Sequence, residues 1–272
     1  MRHAPGPLFP TPALCAFVSR LFNGPLIVQW PPTLSLPTEG EGRPEQACTP
    51  ACPPGRPRGR ARLSRAGDSL TTNNIGVLIS GRGSNLQALI DAGKRGELGG
   101  EVVVVVSNVE AAPGLERARQ AGVPTVVLDH RGRPREDFDA EVVSVLHDHG
   151  VELVCLAGFM RLLSAVFVRA FPGRILNIHP ALLPAFPGLE AQRQAFEHGV
   201  KVSGATVHLV DEDLDSGAIV AQEAVPVRSD DTAESLAVRI LEAEHRLYPR
   251  AVRLLLEGHC RVEGRRVIVE GE

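Results

Sequence analysis

The sequence predicts an α/β fold: an open, mostly parallel Rossmann-like sheet with helices on both faces and antiparallel additions towards the C-terminus. Three observations carry that expectation. From Asn73 onward, apolar runs alternate with stretches of helical periodicity, the signature of β-α units. The runs Ile75–Ile79 and Val102–Val106 are continuous rather than alternating, as strands buried on both faces should be. Between them, Ser80-Gly81-Arg82-Gly83-Ser84-Asn85 makes a glycine-rich turn that opens a helix.

Composition narrows the class. The 272 residues are 43% hydrophobic, enough for a sizeable core, and 29 basic against 32 acidic residues give a net charge of -3. That balance offers no reason to expect nucleic acid or a membrane surface as partner and points to small molecules. Residues 1–72 differ: they carry much of the Pro, the single Trp and the basic run Arg56-Pro57-Arg58-Gly59-Arg60. Pro31-Pro32 and Pro53-Pro54 interrupt any helix or strand there. We read this segment as a disordered Pro/Arg-rich extension; a targeting peptide and a basic arm for an anionic partner are the other readings. Leu14–Val18 falls far short of the roughly 20 apolar residues of a membrane span. The five cysteines, with no second ligand pair near Cys48 and Cys52, argue against zinc or a disulfide framework and for a reducing, cytoplasmic setting.

The helix after the glycine turn has Ser84 as N-cap, Gln87 as capping-box partner, Leu86, Leu89 and Ile90 inward, and Gly93 as its stop. Val102–Val106 leads through Ser107-Asn108 to a helix over 114–120 and a short strand, Thr125–Leu128. A helix over 135–149 turns Phe138, Val142, Val145 and Leu146 inward and leaves His147 and His149 at a solvated end. Leu153–Ala157 is the next strand, followed by the loop Gly158–Leu163 and a helix over 164–170 stopped by Pro172-Gly173. Residues 181–188 cannot be regular, with Pro184, Pro187 and Gly188 among them. A short helix over 189–198, strands Ala205–Val210 and Ile219–Val227, a long helix over 232–257 broken or kinked at Pro249, and a hairpin at Glu263-Gly264 complete the domain. The acidic turn Asp211–Gly217 lacks the final bidentate Glu of an EF-hand and reads as solvated surface.

The run Arg174–Pro180 ends in side chains that can do chemistry. Alternate residues of a strand share a face, so Asn177 and His179 point together, Ile178 points away, and Pro180 cannot extend the ladder. A lone imidazole at a strand end is more often structural than catalytic. Its surroundings shift the balance, because ligands of open α/β sheets bind beyond the carboxyl ends of strands. The glycine turn, the Met160 loop and the Asn177-x-His179 pair all occupy that edge. The turn offers backbone N–H groups to a phosphate and reads equally well as a plain helix start. A nicotinamide dinucleotide is the weaker reading: Leu86 stands where the fingerprint needs Gly or Ala, and Glu101 precedes its strand.

Four motifs stand in order: Gly81-x-Gly83-Ser84-Asn85-Leu86, Ala157-Gly158-Phe159-Met160-Arg161, Asn177-Ile178-His179-Pro180-x-Leu182-Leu183-Pro184 and Asp213-Leu214-Asp215-x-Gly217. Together they resemble the phosphoribosylglycinamide formyltransferase family over nearly all of residues 73–272, which the resemblance makes the catalytic domain. It implies transfer of the formyl group of 10-formyltetrahydrofolate to the amine of glycinamide ribonucleotide in purine synthesis, with no metal or redox cofactor. The positions matching the family's catalytic group are Asn177, His179 and Asp215. Amine attack on a formamide carbon develops an oxyanion and an ammonium, which need donors and a proton acceptor. Asp215 beside His179 is expected to favour imidazolium by charge pairing. Gly83, Ser84 and Asn85 match the loop that holds the nucleotide phosphate, and Glu244 a residue near the ribose. Arg135, Met160, Arg161, Leu162 and Leu163, with Asn177, match the folate pocket.

Arg82 either adds charge to the phosphate site or points to solvent. The chain departs from the family pattern at Ala181, Ala185, Glu190 and Gln192. Formyltetrahydrofolate hydrolase is a rival with no use for a phosphate loop. Methionyl-tRNA formyltransferase would need a further C-terminal domain and a basic surface. A non-catalytic nucleotide-binding Rossmann protein would not require Asn177, His179 and Asp215 together. Monomer and homodimer both stay open.

Overall fold

A computed structural model of the chain describes residues 73–269. The leader read as disordered, residues 1–72, lies outside the described residues, as do 270–272. Strands β1 (Asn73–Ile79), β2 (Gly100–Ser107), β3 (Thr125–Val127), β4 (Leu153–Leu156) and β5 (Ile175–His179) run parallel in the order β3-β2-β1-β4-β5. They alternate with α1 (Ser84–Lys94), α2 (Pro113–Gln120), α3 (Arg135–Asp148) and α4 (Ala165–Ala170). After α5 (Ala191–Glu197) the direction reverses: β6 (Val202–Leu209) lies antiparallel to β5, and β7 (Ile219–Pro226) antiparallel to β6. Helix α6 (Ala233–Leu256) follows, and the hairpin of β8 (Cys260–Glu263) and β9 (Arg266–Val269) completes a nine-stranded sheet. This is the α/β architecture the sequence predicts, antiparallel additions included.

The strands divide their side chains between two cores, one on each face. Ile75, Val77, Cys155 and Leu176 face the larger, which α1, α2 and α6 cover with Leu86, Leu115 and Ile240. Leu78, Val104, Val154 and Ile175 face the smaller, covered by Phe138, Leu146 and Phe167 of α3 and α4. Gly76 lets α3 approach closely, since a Cβ there would lie 2.6 Å from Leu146 Cδ2. Tyr248 on α6, wholly buried, places its hydroxyl 3.1 Å from the Leu156 carbonyl and 3.0 Å from that of Leu176, so α6 is tied to both strands beneath the site.

Some helix ends differ from the sequence reading. Gly83, not Ser84, is the N-cap of α1; it is left-handed (φ 70°), no side chain caps the helix, and Gln87 donates instead to Asp91 (2.9 Å). A capping Ser needs extended backbone. Gly83 takes the cap position against α2, where a Cβ would lie 2.6 Å from Gly114 Cα. Helix α1 passes Gly93 and ends at Lys94, with left-handed Gly96 (φ 72°) beyond. Helix α6 runs unbroken through buried Pro249, its apolar face against the sheet outweighing the missing N–H. Helix α5 begins late because Glu190 is left-handed (φ 54°), and β6 begins early because it pairs with β7 as far as Pro226. Among the described residues, no helix is long and apolar enough to cross a membrane.

Candidate active site

The strand order reverses between β1 and β4, and open α/β sheets bind ligands at such a point. Asn177 and His179 emerge beside it on β5, on the face opposite Leu176 and Ile178. The antiparallel register of β6 adds two polar side chains to this row, His208 across from Asn177 and Thr206 across from His179. Asp215 arrives from the turn after β6 with a left-handed backbone (φ 50°).

Asn177 Nδ2 donates to Nε2 of His208 (3.2 Å), and the Nδ1–H of His208 donates to the Leu209 carbonyl (2.9 Å), a tautomer assigned from these partners. Asp215 stands between the two imidazoles, Oδ2 at 3.5 Å from His179 Nδ1 and Oδ1 at 3.6 Å from His208 Nε2. At those separations the contacts are electrostatic rather than hydrogen bonds. Asp215 Oδ2 does accept the Gly188 N–H (2.8 Å), and His179 Nε2 donates to the Phe186 carbonyl (2.8 Å). Both rings are almost wholly enclosed, 4% exposed for His179 and 2% for His208.

Burial pulls the His179 pKa below its ordinary value; the Phe186 carbonyl and Asp215 act upward without reversing it, and His208 adds to the fall. Asp215 does act towards the imidazolium, as a carboxylate beside His179 should, but desolvation outweighs it at 3.5 Å and the net shift is downward. For Asp215 itself burial acts upward, yet it stays below the usual carboxylate value, with the Gly188 N–H as the donor it accepts from. A neutral imidazole therefore faces an ionised carboxylate.

Thr206 secures the chain beyond His179. Its hydroxyl donates to the Ala181 carbonyl (2.6 Å) and accepts from Leu183 N–H (3.0 Å) and Gln222 Nε2 (2.9 Å), around a cis Leu183–Pro184 bond. At the start of α1 stand Gly83, Ser84 and Asn85, and buried Asn85 donates to Glu244 of α6 (2.7 Å). Burial raises the Glu244 pKa, opposed by that bond. Ser84 lines an open cleft of about 410 Å³ with Gln87, Asp91, Arg117 and His245. Arg117 Nε donates to the Arg82 carbonyl (3.0 Å), so Arg117 brings a cation to the glycine turn, while Arg82 is exposed to solvent.

Of the folate-pocket positions, Met160 and Leu162 are 68% and 55% exposed, Leu163 packs on the smaller core, and the Arg161 guanidinium lies over Phe138 at 4.8 Å. Arg135 heads α3 on the surface, 4.0 Å from Glu136, with no contact to the Asn177 row among the described residues. The sequence reading misses His208, Thr206 and Arg117. For the first two a signal existed: Thr206 and His208 alternate with Ala205, Val207 and Leu209, the same period that singles out Asn177 and His179.

Residues 73–252 match the family model described as formyl transferase. A solved structure, glycinamide ribonucleotide transformylase 1 from Symbiobacterium toebii, is 54% identical, with a TM-score of 0.73 over 76% of this chain and 100% of that one. Phosphoribosylglycinamide formyltransferase of Escherichia coli (strain K12) is 42% identical over 200 residues, 73% of this chain and 94% of that protein. Trifunctional purine biosynthetic protein adenosine-3 of Gallus gallus is 51% identical over 189 residues, 69% of this chain but 19% of that longer protein, so the chain spans about a fifth of it. With its motifs, its sheet order and the matched span in agreement, the chain belongs to the formyl transferase family.

Proposed function

We propose that the chain transfers the formyl group of 10-formyltetrahydrofolate to the amine of phosphoribosylglycinamide in purine synthesis, with residues 73–272 as its catalytic domain. The observation that carries this reading is the enclosed row of Asn177, His179, His208 and Asp215 at the edge where the strand order reverses. The neutral amine attacks the formyl carbon, and the second N–H of Asn177 meets the developing oxyanion. The Nε2–H of His179 is committed to Phe186, so this imidazole serves the proton instead. It takes the amine proton at Nδ1, Asp215 stabilises the imidazolium so formed, and the proton passes to the departing folate nitrogen. The bond from amine nitrogen to formyl carbon forms, the bond from folate nitrogen to formyl carbon breaks, and no net proton is consumed.

Ser84, Arg117 and the glycine turn take the phosphate, Asn85 and Glu244 the ribose, and Met160–Leu163 with Arg135 the folate rings. We place the activity in the cytoplasm, on small-molecule substrates. The test is the full chain with 10-formyltetrahydrofolate, with and without phosphoribosylglycinamide. Turnover that requires both is expected, and Asn177→Ala should lower kcat by about 100- to 1000-fold, the usual loss of an oxyanion donor. Folate release at one rate in both mixtures would mean a hydrolase, and no turnover would mean a binding protein; either overturns the reading.

A further inference from the structure

The loop from Gly158 to Ser164, between β4 and α4, has no regular structure, and side chains from two other elements hold it. Ser80, at the end of β1, accepts the Met160 N–H (2.9 Å) and donates its own proton to Asn108 Oδ1 (2.6 Å). Asp139 on α3 accepts the Ser164 N–H (2.6 Å) on Oδ2. Asp139 is 1% exposed, and its other oxygen is buried without a partner, as are Arg161 Nε and Ser164 Oγ. Three of the seven such atoms among the described residues thus gather on one loop and its anchor. Buried polar groups nearly always have partners, and a buried carboxylate with one donor is a costly way to fill space. Fold stability alone does not account for Asp139. Between the two anchors the chain turns Met160 and Leu162 outward and lays Arg161 back over Phe138, the neighbour of Asp139.

We propose that Asp139 and Ser80 are positioning residues, which clamp the ends of the 160–163 segment so that Met160 and Leu162 form a preformed apolar lip for the flat ring system of the formyl donor. The inference rests on the reading of that segment as the donor's side of the site. A clamped loop has lost its conformational freedom before the donor arrives, so binding does not bear the ordering cost. The proposed ribonucleotide contacts lie on the glycine turn, α1, Arg117 of α2 and α6, away from Asp139 on α3, and loss of the Asp139 anchor leaves them intact.

The test compares the full-length protein with Asp139→Ala, Asp139→Asn and Ser80→Ala, reading KM for each substrate separately and amide hydrogen exchange across 158–164. Asp139→Ala should raise KM for 10-formyltetrahydrofolate roughly tenfold, keep KM for phosphoribosylglycinamide within about twofold, and speed exchange at the loop. Asp139→Asn can still accept the Ser164 N–H and should restore most of the donor KM. Ser80→Ala should likewise raise the donor KM and speed exchange at the loop, and these two readouts carry the test if Asp139→Ala does not fold, because Ser80 also begins the glycine turn. Equal rises in both KM values, or a lower melting temperature with both KM values unchanged, would make these residues merely structural and overturn the proposal. If the unaltered protein does not use the folate, the functional reading is what fails; the clamp is then judged on exchange, faster in Asp139→Ala supporting it and unchanged refuting it.

Discussion

Replacing Gly83 with Ala should destabilise the domain and impair ribonucleotide binding, whereas the same change at Gly81 should leave stability unchanged. Residue 83 sits at φ 70°, where a side chain crowds its own backbone at about 1–2 kcal/mol. The new methyl would also lie 2.6 Å from Gly114 Cα. That neighbour is backbone and cannot rotate away, for the Gly114 N–H is bonded to the Gly81 carbonyl (3.0 Å). Forced overpacking of this kind costs about 1–3 kcal/mol. The sum, about 2–5 kcal/mol, is a large share of the roughly 5–15 kcal/mol that holds a domain together. At Gly81 a Cβ would meet nothing within 4 Å, and the backbone is not left-handed. Urea unfolding of both variants, with KM for each substrate on the same preparations, checks the reasoning. Equal midpoints for Gly83→Ala and the unaltered protein would refute the interlock of glycine turn and α2.

Asp215→Asn removes a carboxylate that acts upward on His179, so the imidazole titration followed by NMR should move still lower; an upward move would contradict the burial argument. Because the folded-state pKa of His179 is depressed, stability is full above the ordinary imidazole value of about 6.5 and is lost as pH falls from there through the folded value. His179→Gln should flatten that stretch of the stability curve. Arg117→Met should raise KM for phosphoribosylglycinamide about 10- to 100-fold through loss of a charged hydrogen bond and leave the folate KM alone. Glycinamide riboside, which lacks the phosphate, should be used equally by both proteins, and a difference there would sink the assignment. Burial pushes the Cys155 thiol up to about 12, so peptide mapping should find it unalkylated by iodoacetamide until the protein unfolds.

The order of elements is legible in the sequence because continuous apolar runs separated by amphipathic stretches leave few topologies open. Asn177 and His179 are legible because the period-2 pattern of β5 is local. His208 shows the same alternation in β6, but its place beside Asn177 comes from the pairing of Leu176 with Leu209 through His179 with Thr206, which nothing within β6 announces. The link from Asp215 to both imidazoles is likewise a contact across a turn, reached from sequence only through resemblance. Ser84-x-x-Gln87 has the letters of a capping box, yet Gly83 takes the cap position, against Gly114. The neutral state of His179 escapes for another reason: spacing shows which groups can meet, while depth of burial sets their charge.

Asn85 and Glu244 close a stretch of 159 residues, whereas Asn177 and His208 close one of 31. Closure entropy grows by about 0.6 kcal/mol per doubling, which makes the longer closure about 1.4 kcal/mol more costly before any contact offsets it. Asn177, His179 and His208 come from two paired strands, β5 and β6, that lie close together in the chain. The contact of Asn85 with Glu244 exists only when α1 and α6, from opposite ends of the domain, have docked. With that contact seating the acceptor, as proposed, a chain that has paired β5 with β6 but not yet docked α1 on α6 would not carry out the transfer.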